Sequence, residues 1–122
     1  MKNQFVWVDI PVANLDRAIA FYSAVIGEKL TKESMPGFSF GLFPHSETSV
    51  AGCLTPADDN QPSDKGPLIY LNTEGRIDKA IEAVRTNGGR VLQTKHQIGE
   101  HGYRAIVIDS EGNRIALHSQ TV

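Results

Sequence analysis

Residues 6–30 read VWVDIPVANLDRAIAFYSAVIGEKL, and residues 67–92 read PLIYLNTEGRIDKAIEAVRTNGGRVL. The two stretches run one programme twice. Leu15-Asp16-Arg17-Ala18-Ile19 returns 62 residues on as Ile77-Asp78-Lys79-Ala80-Ile81, and Gly27 and Leu30 return at that spacing as Gly89 and Leu92. In the first copy Val6, Val8, Ile10 and Val12 alternate with Phe5, Trp7, Asp9 and Pro11, the period of a strand with two unlike faces. Asn14 stands where a helix N-cap is needed. Leu15, Ala18, Ile19, Tyr22 and Ile26 then recur at spacings of three and four, the stripe of an amphipathic helix, and Gly27 is placed to end it. In the second copy 68–73 reads as a strand and 77–87 as a helix with Ile77, Ala80, Ile81 and Val84 inward, stopped by Gly88-Gly89. A unit this short cannot bury its own apolar face, so the two copies must share one core.

Working outward, strands are expected over 29–34, 38–43 and 49–55 after the first helix, and over 90–95, 103–108 and 113–119 after the second. Pro36-Gly37 and Asp109-Ser110-Glu111-Gly112 read as turns. Each half is then β-α-β-β-β. Module one covers 1–55, a polar connector without pattern covers 56–66 (PADDNQPSDKG), and module two covers 67–122. The fold class is α+β. One face of each first strand packs under its helix, so the other face (Trp7, Asp9, Pro11; Leu68, Tyr70, Asn72) lines the concave side of a curved sheet. Two such sheets facing each other make a partly open, mixed β-barrel with an interior cleft.

The composition excludes several classes of partner. A net charge of −2 over 122 residues provides no basic footprint for nucleic acid or an anionic membrane. No stretch approaches the roughly 20 apolar residues that span a bilayer, and the first dozen residues do not read as a signal peptide. The single cysteine, Cys53, fits a reducing compartment, so a cytoplasmic protein is expected.

The run Ile10-Pro11-Val12-x-Asn14-Leu15-Asp16-Arg17-Ala18-Ile19-x-Phe21-Tyr22 resembles the opening signature of the glyoxalase/bleomycin resistance/dioxygenase family, also called the vicinal oxygen chelate superfamily. Asp109-Ser110-Glu111-Gly112-Asn113 is similar to that family's Asp-Pro-Asp-Gly-Asn turn. The resemblance extends over both repeats. It implies paired βαβββ modules, a homodimer, and in the metalloenzymes a divalent ion held by His and Glu from matching strand positions. Carried onto this chain, those slots fall on Trp7, Leu68, Ala116 and a residue within 50–54, which holds Val, Ala, Gly, Cys and Leu. Trp, Leu and Ala supply no donor to a divalent ion. No metal and no cofactor is therefore expected, and the metal-dependent lactoylglutathione lyase or dioxygenase reading becomes the weaker one.

Other residues remain candidates for chemistry. Asp9, a carboxylate in an apolar strand, suits a general acid or base, or else pairs with Arg114. His118 shares the Ala116 face and with Arg114 can bring a titratable or cationic group to the cleft. Trp7 is an aromatic wall for a planar compound or a plug in the vacated metal slot; Leu68 occupies the equivalent slot. Tyr70 orients a ligand or fills the barrel. His101 lies in a glycine-flanked turn that overhangs the cleft or is purely structural. His45 and His96 read as surface residues, Cys53 as inert packing, and Asp58-Asp59 as solvated. Two functions compete: a binding protein for a small organic molecule in a metal-free cleft at Trp7, Leu68 and Tyr70, and a metal-independent isomerase or lyase using Asp9 or His118. The connector is long enough for the modules to pair within one chain or between two.

Overall fold

Both repeats fold as expected from their shared programme. In the computed structural model, which describes residues 2–122, β1 (Trp7–Pro11), α1 (Leu15–Ile26), β2 (Thr31–Met35), β3 (Phe38–Leu42) and β4 (Ala51–Thr55) form the first module. The second comprises β5 (Ile69–Asn72), α2 (Ile77–Thr86), β6 (Arg90–Gln97), β7 (Tyr103–Ile108) and β8 (Arg114–Ser119), with a 3-10 turn at Gly99–His101 before β7. Each module makes one four-stranded sheet, in the orders β1-β4-β3-β2 and β5-β8-β7-β6. The first strand of each runs parallel to the last, and the other pairs are antiparallel. The fold is α+β with two βαβββ modules.

The sheets do not close into a barrel, in keeping with the partly open arrangement expected from the sequence. β1 and β5 each pair on one side only, so no hydrogen-bonded seam joins the sheets. The helices join the modules instead, α1 packing on α2. One core runs through both halves, taking Ile10, Val12 and Leu54 from the first sheet and Ala105, Val107, Ile115 and Leu117 from the second. Val8, Ile69 and Leu71 pack against it, so the strand faces assigned to the helices do point there.

Three details depart from the periodicity. Val6 precedes β1 and is 73% exposed. Phe21 and Val25 are fully buried, whereas Leu15, Ile19 and Ile26 of the expected stripe are only half-buried. The reason is that α1 contacts its own sheet and α2 together, so a wider arc of the helix is covered. β2 runs Thr31–Met35 rather than 29–34 and is exposed throughout.

The repeat spacing also changes within the unit. Facing across the sheets matches Val8 to Ile69 and Ile10 to Leu71, a spacing of 61, while the helices match at 62. The extra residue lies between β5 and α2, where Gly75 takes a left-handed φ of 74° that glycine adopts without a Cβ clash. The two helix starts are built differently. Asn14 accepts from the Arg17 N–H at 3.1 Å, as a capping residue should. α2 has no side-chain cap at Arg76; that guanidinium donates instead to Ala24 and Val25 carbonyls at the end of α1. No helix among the described residues is long and apolar enough to cross a membrane.

Candidate functional site

Strand register sorts the side chains that face away from the helices. On the first sheet Trp7, Asp9 and Pro11 of β1 stand opposite Ala51, Cys53 and Thr55 of β4, and Cys53 stands opposite Leu42 of β3. On the second, Tyr70 and Asn72 of β5 stand opposite Ala116 and His118 of β8, which face Ile106 and Arg104 of β7. Cys53, Ile106, Ile108 and Ala116 are buried outside the helix-side core, so they floor these faces.

A cleft of about 660 Å³ lies between β1 and β5, and Trp7, Asp9, Leu68 and Arg114 all line it. Four of the seven residues singled out from the sequence are thus brought together. The connector, read from the sequence as a polar stretch without pattern, contributes Asn60, Gln61, Ser63 and Lys65 to the same wall. Tyr70 lies outside this cleft and edges a second one of about 410 Å³, with Val8, Ile10, Ile69, Leu71 and Phe43. His118 and His101 line neither.

Asp9 is exposed, so the burial that would favour an acid–base role is missing. It does not pair with Arg114 either. Its Oδ1 accepts from the Trp7 indole N–H at 2.6 Å and from the Cys53 thiol at 3.4 Å. Trp7 is therefore no plug: the residue is 47% exposed, and its indole is held by Asp9. Burial pushes the Cys53 thiol up to about 11, with the Asp9 hydrogen bond and charge adding to it.

His118 is half-buried; its Nε2–H donates to the His101 carbonyl at 2.6 Å, and its ring meets Tyr70 edge-on at 6.3 Å. His101 itself is exposed, and its backbone oxygen is the part engaged. His96 is not a surface residue. It is half-buried, and its Nε2 accepts from Arg104 Nε at 3.0 Å. Arg104 was missed in the sequence, although its alternation with Ile106 and Ile108 along one strand marked it as an inward-facing cation.

The slots in which the family's metalloenzymes hold a divalent ion do not fit one here. Leu68 and Ala116 have no donor atoms, and Trp7 offers only an N–H already given to Asp9. Among the described residues no three His, Cys, Asp or Glu side chains gather at one point. Asp9 and Cys53 are the only such donors side by side in this region, and the thiol stays protonated at neutral pH.

The Asp109–Asn113 turn works as a clamp between modules. Asp109 Oδ1 accepts from the backbone N–H of Glu111 and of Asn113, both at 2.8 Å, and Oδ2 accepts from the buried Tyr22 hydroxyl of α1. Asn113 Nδ2 donates to the Pro11 carbonyl at 2.8 Å. Glu111 Oε1 accepts from the N–H groups of Ala13 and Asn14 at 2.9 and 2.8 Å, and Arg17 binds both its carboxylate oxygens. The motif that carried the family resemblance is thus structural in this chain.

The same fold appears in solved structures. A glyoxalase/bleomycin resistance protein from Albidiferax ferrireducens T118 superposes with a TM-score of 0.75 at 19% identity, over 96% of this chain and 98% of that one. The fosfomycin resistance protein FosX from Listeria monocytogenes gives 0.68 at 14% identity, over 98% and 94%. A glyoxalase I mutant from Zea mays gives 0.71 at 20% identity, over 94% of this chain and 45% of that longer one. At such identities the likeness is one of fold. No curated protein matches the sequence. The family profile of the Glyoxalase/Bleomycin resistance protein/Dioxygenase superfamily matches residues 4–117, nearly the whole chain. With the two βαβββ modules and the interlocking turn in view, this chain belongs to that superfamily.

Proposed function

We propose that this protein binds a small organic molecule in a metal-free cleft between β1 and β5. The observation that carries the reading is the cleft of about 660 Å³ with Trp7, Phe5 and Leu68 as apolar walls and Asp9, Arg114 and Lys65 as polar points. Its size falls in the range of small-molecule sites, and a few polar groups on apolar walls are their usual make-up. The isomerase or lyase alternative has less support, because Asp9 and His118 line no common cavity and each is already hydrogen-bonded.

Trp7 is the only tryptophan, so its fluorescence reports on the cleft directly. Titration with naphthalene-2-carboxamide, a planar probe, is expected to quench it. Trp7→Ala, with its circular dichroism unchanged, is expected to bind that probe about tenfold more weakly when binding is followed by the probe's own fluorescence. Unchanged affinity would overturn the assignment.

The protein acts as a homodimer in this reading. Trp7, Met35 and Phe38 leave large apolar surfaces open on the first sheet. That sheet's open face carries Asp9 and Glu33, while the second carries Arg90, Arg104 and Arg114. Opposite signs suit a first module of one copy facing a second module of the other. Sedimentation at micromolar concentration should show a dimer; a monomer throughout would sink the idea. The unpaired Cys53 supports a reducing, cytoplasmic setting, and the net charge of −2 favours neither nucleic acid nor membrane as partner.

A further inference from the structure

We propose that the open face of the second sheet holds a seat for the oxyanion end of a small organic acid, made by the Arg104 guanidinium and the Tyr70 hydroxyl. The seat lies outside the cleft between β1 and β5, so it goes beyond the proposed function and stands independently of it. Register places Asn72, His118, Arg104 and His96 in one row across β5, β8, β7 and β6. Arg104 is half-buried in that row, and among the described residues no carboxylate lies within ion-pair distance of it. Arg17, Arg85 and Arg76 find partners in Glu111, Glu82 and backbone carbonyls, whereas Arg90, Arg104 and Arg114 form no ion pair among the described residues; of these three, Arg104 alone is held in place by side-chain hydrogen bonds, to His96 and Tyr70. A half-buried guanidinium left without an anion is costly, and its planar fork matches a carboxylate or phosphate.

Hydrogen accounting shows what remains free. Arg104 Nε donates to His96 Nε2, which leaves the His96 proton on Nδ1, donating to the Thr94 carbonyl at 2.8 Å. Arg104 Nη1 donates to the Tyr70 hydroxyl oxygen. Tyr70 therefore keeps its own O–H hydrogen, and Arg104 Nη2 has no acceptor among the described residues. His118 Nε2–H is taken by the His101 carbonyl. Two adjacent donors, one charged, thus point at nothing, and no group in the row is negative. One row further in, Ile106 and Ala116 are buried and apolar. An oxyanion at Arg104 and Tyr70 lays an apolar body over that floor and against the Tyr70 ring.

The test is an NMR titration of the ¹⁵N-labelled full chain with benzoate, phenyl phosphate and neutral benzamide, reading the Arg104 Nε–H. Benzoate or phenyl phosphate is expected to shift it, whichever does so more strongly naming the head group, with benzamide at least about tenfold weaker. Arg104→Gln should weaken the anion by about tenfold or more, Arg104→Lys by less, and Arg85→Gln on α2 not at all. Benzamide shifting the Arg104 Nε–H at the same affinity as benzoate would overturn the oxyanion seat. So would an Arg104→Gln variant that weakens self-association but leaves benzoate affinity intact, since the anion would then belong to a second copy. If none of the three compounds shifts the Arg104 Nε–H, the seat is overturned, while the cleft at Trp7 stands or falls on its own fluorescence titration.

Discussion

Cys53 illustrates how a single side chain depends on its surroundings. In sequence it is a small apolar residue on a strand. In the fold it sits against Asp9, and burial together with that carboxylate holds its thiol near 11. Reactivity requires the thiolate. Near pH 8 its reaction with iodoacetamide should be about a hundredfold slower than that of an ordinary thiol. Asp9→Asn, which removes the charge, should accelerate it; equal rates in the two proteins would contradict the coupling. Trp7 and Asp9 were legible as residues on the open face, because strand alternation alone assigns a face. Their hydrogen bond to each other was not, since two residues on one strand reveal their rotamers only once neighbours are in place. Arg104 was legible in the same alternation, but only the absence of a nearby carboxylate gives it meaning, and that is a three-dimensional fact.

At the scale of elements, the two glycines after α2 do different work. Gly88 has a positive φ of 94° and provides the helix stop that the sequence assigns to the pair. Gly89 is required for space. A Cβ there would lie 2.5 Å from the Ile108 carbonyl oxygen, 2.8 Å from the Phe21 ring and 2.9 Å from Val84. Gly89→Ala should therefore destabilise the protein by about 2–3 kcal/mol in urea unfolding, as overpacking against backbone does. An effect below about 0.5 kcal/mol, the size of an ordinary surface change, would mean that β6 moves away freely. Phe21 touching Gly89 also explains why the expected stripe of α1 was too narrow. Periodicity finds the face toward a helix's own sheet, whereas the contact with α2 depends on how the modules dock.

For the whole molecule, the clamp from the β7–β8 turn to α1 gives a pH signature. Burial alone would raise the Glu111 pKa. The Arg17 hydrogen bond, the Asn14 and Ala13 N–H groups and the Ser110 hydroxyl outweigh it and hold the carboxyl at about 2. A carboxyl whose folded pKa is depressed stabilises above its unfolded value and loses that contribution as pH falls. The clamp should thus contribute fully above about pH 4.5 and fade toward pH 2. Glu111→Gln should lose about 2 kcal/mol at neutral pH and flatten the acid limb between those values. An unchanged acid limb would show that other carboxylates carry it. Tyr22 belongs to the same clamp: burial and the adjacent Asp109 push its phenol well above the ordinary range, so it stays neutral and donating.

The sequence by itself determined the duplication, the two βαβββ modules, the helix caps and which face of each first strand looks away from the helices. These follow from local periodicity and turn chemistry, which act within a dozen residues. Only the tertiary structure decided that the helices rather than a strand seam join the modules, that the connector lines the cleft, that the Asp109–Asn113 turn locks one module to the other, and that Arg104 lacks an anion. Each of those depends on contacts between residues far apart in the chain, whose partners are chosen by packing rather than by spacing.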